Sequence, residues 1–350
     1  MKVSSFYPGP ATIHPSIPSL VKDAYDTGIL SANHRSPDFM ELSFAAKSQL
    51  RSQLNVPDDY DIIFISSATE AWEILPQSLT SKTSQHFFNG AFGLKWAYTT
   101  ENLGIEVIKS PFDINASLPT DQINSSAEWL CVTACETSNG TRVNQNVLQE
   151  LFSRRLPHQL IAVDATSALG GVILNFQLAD YWFASCQKCL GLPAGLGLLI
   201  VSPAAIERGR LLGERSHYNS FLNLVEHARK EQTHYTPNVL NIYLLWRTLA
   251  AGPSIVVTDR RLRDRMVGLN SIIQSNGTLD WLVSNASLRS PTVITLKTSD
   301  PIELKKRALA QKMILGNGYG VWKEITVRIA NFPAMGDIEF RIFMEWMSNL

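Results

Sequence analysis

The sequence predicts an α/β fold: a mostly parallel sheet with helices on both faces, followed by a smaller α/β unit. Three observations carry this. Short apolar runs alternate with longer segments of helical character, the pattern of strands joined by crossover helices. The runs are near-continuously apolar, as strands buried on both faces require. Ser67, Asp164 and Lys188 each fall just past such a run, and open sheets of this kind seat ligands beyond the carboxyl ends of their strands.

Taken in order, residues 61–66 (Asp-Ile-Ile-Phe-Ile-Ser) read as a strand and 69–79 as a helix. Residues 85–88 read as a strand, 92–103 as a helix and 105–109 as a strand. A strand at 128–134 precedes a helix at 143–154, and strands at 159–163, 181–185 and 196–201 complete the set. The helical stretch 237–251 leads out of this unit, and Gly252-Pro253 breaks the chain. A long helix over 255–273 opens the second unit. Strands at 292–296 and 325–330 and helices at 301–312 and 336–348 follow. The expected division is a large domain over 16–252 and a small domain over 253–350.

Of the 350 residues 45% are hydrophobic and 18% charged, which suits a globular chain with a large core. Lys plus Arg and Asp plus Glu number 31 each, so no charge excess points to nucleic acid or an anionic membrane. The N-terminus has no long apolar core, and the longest apolar stretch, 191–206, is broken by Pro193, Gly195, Gly197 and Pro203. A cytoplasmic location is the resulting expectation. Cys186 and Cys189 form a C-x-x-C pair, but zinc would need a second pair or histidines at ligand spacing. Those two, with Cys131 and Cys135 in an apolar run, read as small buried hydrophobes, and no metal site is expected.

The residues with most chemical content are Lys188, in Ser185-Cys186-Gln187-Lys188-Cys189-Leu190-Gly191, and Asp164, in Val163-Asp164-Ala165-Thr166-Ser167. A lysine just past an apolar strand, with an aspartate at the end of an earlier one, is how a protein holds pyridoxal phosphate. The amine condenses with the aldehyde, and the carboxylate keeps the pyridine nitrogen protonated so that the ring serves as an electron sink. Alone, a lysine near a glycine-rich turn is more often solvated. The turn Ser66-Ser67-Ala68-Thr69-Glu70 offers backbone N–H groups at a helix start, suited to a phosphate, or else a plain N-cap. Asn89-Gly90-Ala91-Phe92-Gly93 places an aromatic ring that could lie over a flat cofactor or simply join the core. Glu136-Thr137-Ser138-Asn139-Gly140 offers a hydroxyl near the ring, or an ordinary polar turn.

The ordered set S-S-A-T-E, N-G-A-F-G, E-T-S-N-G, V-D-A-T-S, Q-K-x-x-G-x-P-A-G, Y-T-P and V-R-I-A-N-F resembles the class V aminotransferases of the fold-type I pyridoxal phosphate enzymes, over nearly the whole chain. The branch acting on phosphoserine is the most similar. The resemblance implies a large domain on a mostly parallel, seven-stranded sheet, with residues 1–15 joining the small domain. It implies that Lys188 carries the cofactor and shuttles the substrate proton, and that Asp164 pairs with the pyridine nitrogen. It gives Thr137 the ring oxygen, Phe92 the stacking face, and Ala68, Thr69, Ser167 and Gln187 the phosphate. Thr236 resembles a residue that reaches a phosphate across an interface, which implies a homodimer with shared sites. Arg328 matches the family arginine that clamps the substrate α-carboxylate; a buried ion pair is the alternative.

For the substrate's distal anion the phosphoserine branch uses two His-Arg pairs. The first is present as His34-Arg35, unless these are a solvated loop pair. The second is missing: residues 316–323 read Gly-Asn-Gly-Tyr-Gly-Val-Trp-Lys, and nothing places Lys323 as a substitute. The expected reaction is transfer of an amino group between a small amino acid and a 2-oxo acid, first of all O-phosphoserine with 2-oxoglutarate. The alternative is an alanine- or serine-type enzyme using glyoxylate or pyruvate. A desulfurase would need a cysteine late in the chain, and none follows Cys189. A non-catalytic cofactor-binding scaffold would be expected to lose Lys188 or Arg328, and both are present.

Overall fold

A computed structural model describes residues 3–275 and 277–350. The larger of two main sheets has seven strands in the spatial order Asp61–Ile65, Gly197–Val201, Tyr181–Ser185, Leu160–Asp164, Trp129–Thr133, Thr83–Phe88, Glu106–Pro111. Its pairings are parallel except those of Gly197–Val201, which runs against both neighbours. The alternation of residues along each strand feeds two cores. Phe64, Val132, Val163, Trp182 and Leu198 pack on one face, and Ile63, Cys131, Ala162, Phe183 and Leu199 on the other. Burial on both faces is the reason the runs read as continuously apolar.

The second sheet has five strands, in the order Ser4–Phe6, Met313–Asn317, Thr326–Ala330, Val293–Thr298, Leu279–Trp281. Ser4–Phe6 pairs in parallel with Met313–Asn317, so the start of the chain lies at the edge of a sheet otherwise formed by its end. Helices Ile255–Ser275 and Asp337–Ser348 cover this sheet through Leu269, Ile273, Phe340, Phe343 and Met347. One contact between the two units is made by Ser167, whose backbone carbonyl accepts the Thr292 hydroxyl at 2.5 Å.

Helix Pro37–Leu54 has no counterpart among the sequence expectations. It begins at an N-cap, Ser36, whose hydroxyl accepts from the Phe39 amide, with proline in the first turn. Its apolar stripe (Phe39, Leu42, Ala46, Leu50) is interrupted by buried Ser43 and Lys47. Lys47 is satisfied by Glu231 at 2.7 Å and by the Ala228 carbonyl at 2.6 Å, partners that only tertiary structure supplies. No single described helix is long and apolar enough to cross a membrane.

Candidate active site

Lys188 follows the strand Tyr181–Ser185, and Asp164 ends the neighbouring parallel strand Leu160–Asp164. Both side chains are buried, and their charges attract across the sheet rim. The Lys188 Nζ donates to the Pro8 carbonyl at 2.9 Å and to the Thr137 hydroxyl at 3.5 Å. Burial pulls its pKa down to about 8 against the attraction of Asp164, and the nearby Arg328 guanidinium lowers it further. Burial pushes the Asp164 carboxyl up, opposed by hydrogen bonding from Thr166, whose amide donates to Oδ1 at 2.9 Å.

The segment Pro8-Gly9-Pro10 closes over the lysine, and the Ala11 amide donates to the Gln187 carbonyl at 2.9 Å. Gly9 has φ +150°, and a Cβ there would stand 2.9 Å from the Lys188 Nζ, so glycine is what lets the backbone lie against this amine. The turn after Asp61–Ile65 is equally close-fitted. Ser67 caps the helix Ala68–Leu79 by accepting from the Glu70 amide at 3.2 Å, and Glu70 Oε2 accepts from the Ser66 amide and hydroxyl at 2.7 Å each. The Ala68 amide donates to Ser185 Oγ at 2.8 Å. A Cβ on Gly197 would lie 2.7 Å from the Ser67 backbone carbon, so the antiparallel strand approaches this turn only because residue 197 has none.

Thr137 and Ser167 share a hydroxyl–hydroxyl hydrogen bond of 2.5 Å, and both are buried. Among the described residues the buried Gln187 Oε1 has no hydrogen-bond partner. Phe92 stands with its ring centroid 5.8 Å from the Lys188 Nζ. From the second sheet comes Arg328, 4% exposed, whose Nε donates to the Asn317 carbonyl at 2.7 Å and whose NH1 donates to the Thr137 carbonyl at 2.9 Å. Among the described residues it has no carboxylate partner, so the alternative of a buried ion pair does not hold. Burying a guanidinium without a carboxylate partner is costly.

The structure thus brings Lys188, Asp164, Thr137, Ser167, Gln187, Phe92 and Arg328 to one rim, with the Ala68-Thr69 turn beside them. It does not bring His34, Arg35 or Thr236 there within this one chain. His34 is in the electrostatic reach of Arg35 and His227, the Arg35 amide donates to Asn33 Oδ1, and Arg35 and Thr236 are exposed. The covering role of Pro8 and Gly9 escaped the sequence reading, as did the part of Glu136. The Glu136 carboxylate accepts from the Phe92 amide at 3.4 Å, the Gly93 amide at 3.1 Å and the Ser138 amide at 2.9 Å, and so anchors the start of helix Ala91–Asn102 under Phe92. An acid placed 43 residues from the amide it accepts leaves no local trace. All four cysteines are free and buried, with burial raising each thiol.

This donor set fits pyridoxal phosphate. It has a buried amine with a lowered pKa, a buried acid facing it, a paired hydroxyl system, an aromatic face and a helix N-terminus. The model of the class V aminotransferases matches residues 10–311. A phosphoserine aminotransferase from Corynebacterium glutamicum (strain R) is 27% identical over 352 residues, spanning 93% of this chain and 89% of that protein. The crystal structure of a phosphoserine aminotransferase from Cytophaga hutchinsonii superposes with a TM-score of 0.95 at 31% identity, covering 99% of this chain and 98% of that one. An aspartate aminotransferase of subgroup IV from Thermus thermophilus shares the fold, with a TM-score of 0.87 at 18% identity over 99% of this chain and 98% of its own. With a lysine, an acid and an unpaired arginine assembled on this sheet rim and the family model spanning most of its length, the chain belongs to the class V aminotransferases.

Proposed function

We propose that the protein transfers the amino group of O-phosphoserine to 2-oxoglutarate, with pyridoxal phosphate held by Lys188, Asp164, Phe92, Thr137, Ser167, Gln187 and the Ala68-Thr69 turn. When bound, the cofactor supplies an electron sink for the carbanion left when the substrate loses its α-proton. The observation that carries the reading is the buried, carboxylate-free guanidinium of Arg328 beside Lys188. The guanidinium N–H groups not spent on the Asn317 and Thr137 carbonyls bind the α-carboxylate and orient the α-hydrogen. The Nζ of Lys188, with a pKa near physiological pH, takes that proton and returns it. The Asp164 carboxylate holds a proton on the ring nitrogen opposite. Pro8 and Gly9 keep water from the amine.

Phosphoserine is favoured by the names of the relatives. A second reading, alanine or serine with glyoxylate or pyruvate, is favoured by the absence of a His-Arg pair in 316–323. On either reading a second copy of the chain would bring His34, Arg35 and Thr236 to the site, since within one chain they do not reach it. The same reading takes 16–252 as the cofactor-holding domain and 253–350 as the small domain, with 1–15 joined to it. The pairing of Ser4–Phe6 with Met313–Asn317 supports that arrangement. The test measures glutamate formed from 2-oxoglutarate with O-phosphoserine as donor. Turnover of phosphoserine well above that of serine and alanine is expected. No glutamate from phosphoserine, together with turnover of alanine or serine against glyoxylate or pyruvate, would replace the first reading with the second.

A further inference from the structure

Three cations surround two stacked rings at the mouth of this site. Phe92 and Tyr319 stack with centroids 5.3 Å apart and planes inclined by 26°. Lys188 Nζ lies 5.8 Å from the Phe92 centroid, and Arg328 Cζ lies 5.0 Å from the Tyr319 centroid. The third cation is Lys95, on the exposed side of helix Ala91–Asn102. Its Nζ is 5.6 Å from the Phe92 centroid and 5.1 Å from the Tyr319 centroid. Its hydrogen bond goes to the Tyr319 hydroxyl, at 2.5 Å, and no carboxylate pairs with it among the described residues. The nearby acids are committed: Glu136 to the amides of residues 92, 93 and 138, and Asp164 to the amide of Thr166, opposite Lys188. One substrate carboxylate satisfies Arg328. The charge on Lys95 then remains.

We propose that Lys95, positioned by the Tyr319 hydroxyl, receives the second anionic group of the amino-acid substrate, a phosphate or a carboxylate. This rests on the reading of Arg328 as the α-carboxylate seat. It answers the missing His-Arg pair: Tyr319 stands in that very stretch and holds a lysine from helix Ala91–Asn102 in place of a cation of its own. Lys323, the other cation of that segment, is exposed and lies 3.7 Å from Glu324. A lysine also suits the task. One site must accept both phosphoserine and glutamate, whose distal anions differ in shape and reach. A rotatable ammonium on a flexible stem follows both, where a planar fork is tuned to one.

The test uses the holoenzyme and three ligands: O-phosphoserine, glutamate and L-serine. Each is measured as kcat/KM where turnover occurs and as Kd by calorimetry otherwise. Lys95→Gln is expected to weaken phosphoserine and glutamate about 10- to 100-fold, mainly through KM, and serine less than about twofold. Lys95→Arg keeps the charge and should restore most of the loss for one of the two distal anions and less for the other. Tyr319→Phe keeps the stacked ring but releases the ammonium, and should give a smaller loss confined to the same two ligands. Equal loss for all three ligands, or no loss for any, overturns the proposal. If the wild type ignores phosphoserine while glutamate still depends on Lys95, the proposal stands and the phosphoserine reading falls.

Discussion

The two halves of the site are built differently. The cofactor half is made from the ends of neighbouring strands: Asp164 and Lys188 follow adjacent parallel strands, and the Ser67 turn is pinned to Ser185 by one hydrogen bond. Each piece is a short strand–turn signature. The proposed substrate half is made across the two units, from Arg328 on the strand Thr326–Ala330 and Tyr319 in the turn before it, and from Lys95 and Phe92 on helix Ala91–Asn102. On the proposed reading, reactive chemistry is tied to the rim of a sheet buried on both faces. Substrate choice is left to side chains whose partners come from the other unit, where a change of residue alters selectivity without dismantling the cofactor seat.

The largest way to break this contrast is Lys188→Ala, which removes the amine proposed to hold the cofactor and move the proton. Transamination should fall about 10⁴-fold or more, in the same proportion for every substrate. A substrate-dependent loss would place Lys188 in the wrong half. Arg328→Ala comes next. Two charge-assisted hydrogen bonds are lost, so kcat/KM should drop about 10²- to 10³-fold for all amino acids, while cofactor affinity measured by dialysis changes little. Gly197→Ala tests the rim itself: the new methyl meets the Ser67 backbone, and unfolding free energy should fall by about 1–3 kcal/mol with weakened cofactor retention. A stable protein with full retention would show that the close approach is not needed. Phe92→Leu should be mildest, releasing cofactor about 2- to 10-fold more readily.

The pH dependence sharpens the same picture. With the Lys188 pKa pulled down to about 8, its neutral and nucleophilic form grows as pH rises through that value. Cofactor capture by the apoprotein should accelerate from pH 7 to 9 and then level off. The sign for stability follows from the same shift. Between about 8 and the ordinary lysine value, the unfolded chain binds a proton that the folded chain does not, so apoprotein stability should rise with pH across that window. Lys188→Met should flatten the rise, as thermal melts at several pH values would record.

Much of the architecture was legible because it is periodic. Strands such as 61–66 and 181–185 announced themselves as unbroken apolar runs, and the structure differs from the expected bounds by a residue or two at most of them. Helix Pro37–Leu54 was not legible, because its buried face carries Ser43 and Lys47, satisfied by Glu231 and the Ala228 carbonyl far along the chain. Cys186 and Cys189 are buried, which the apolar surroundings of both in the sequence made legible.

By itself, the order of residues along the chain determined the fold class and the family, and it put forward the lysine, aspartate and arginine on which the proposed function rests. It could do so because strand burial, turn chemistry and charge type are properties of a few adjacent residues. Only the folded molecule decided that Gly9 lies against the Lys188 amine, that Glu136 anchors the helix beneath Phe92, that Arg328 has no acid of its own, and that Lys95 meets Tyr319. Each of these joins residues far apart in the chain, and such pairings arise from how the two sheets pack, which no local pattern encodes.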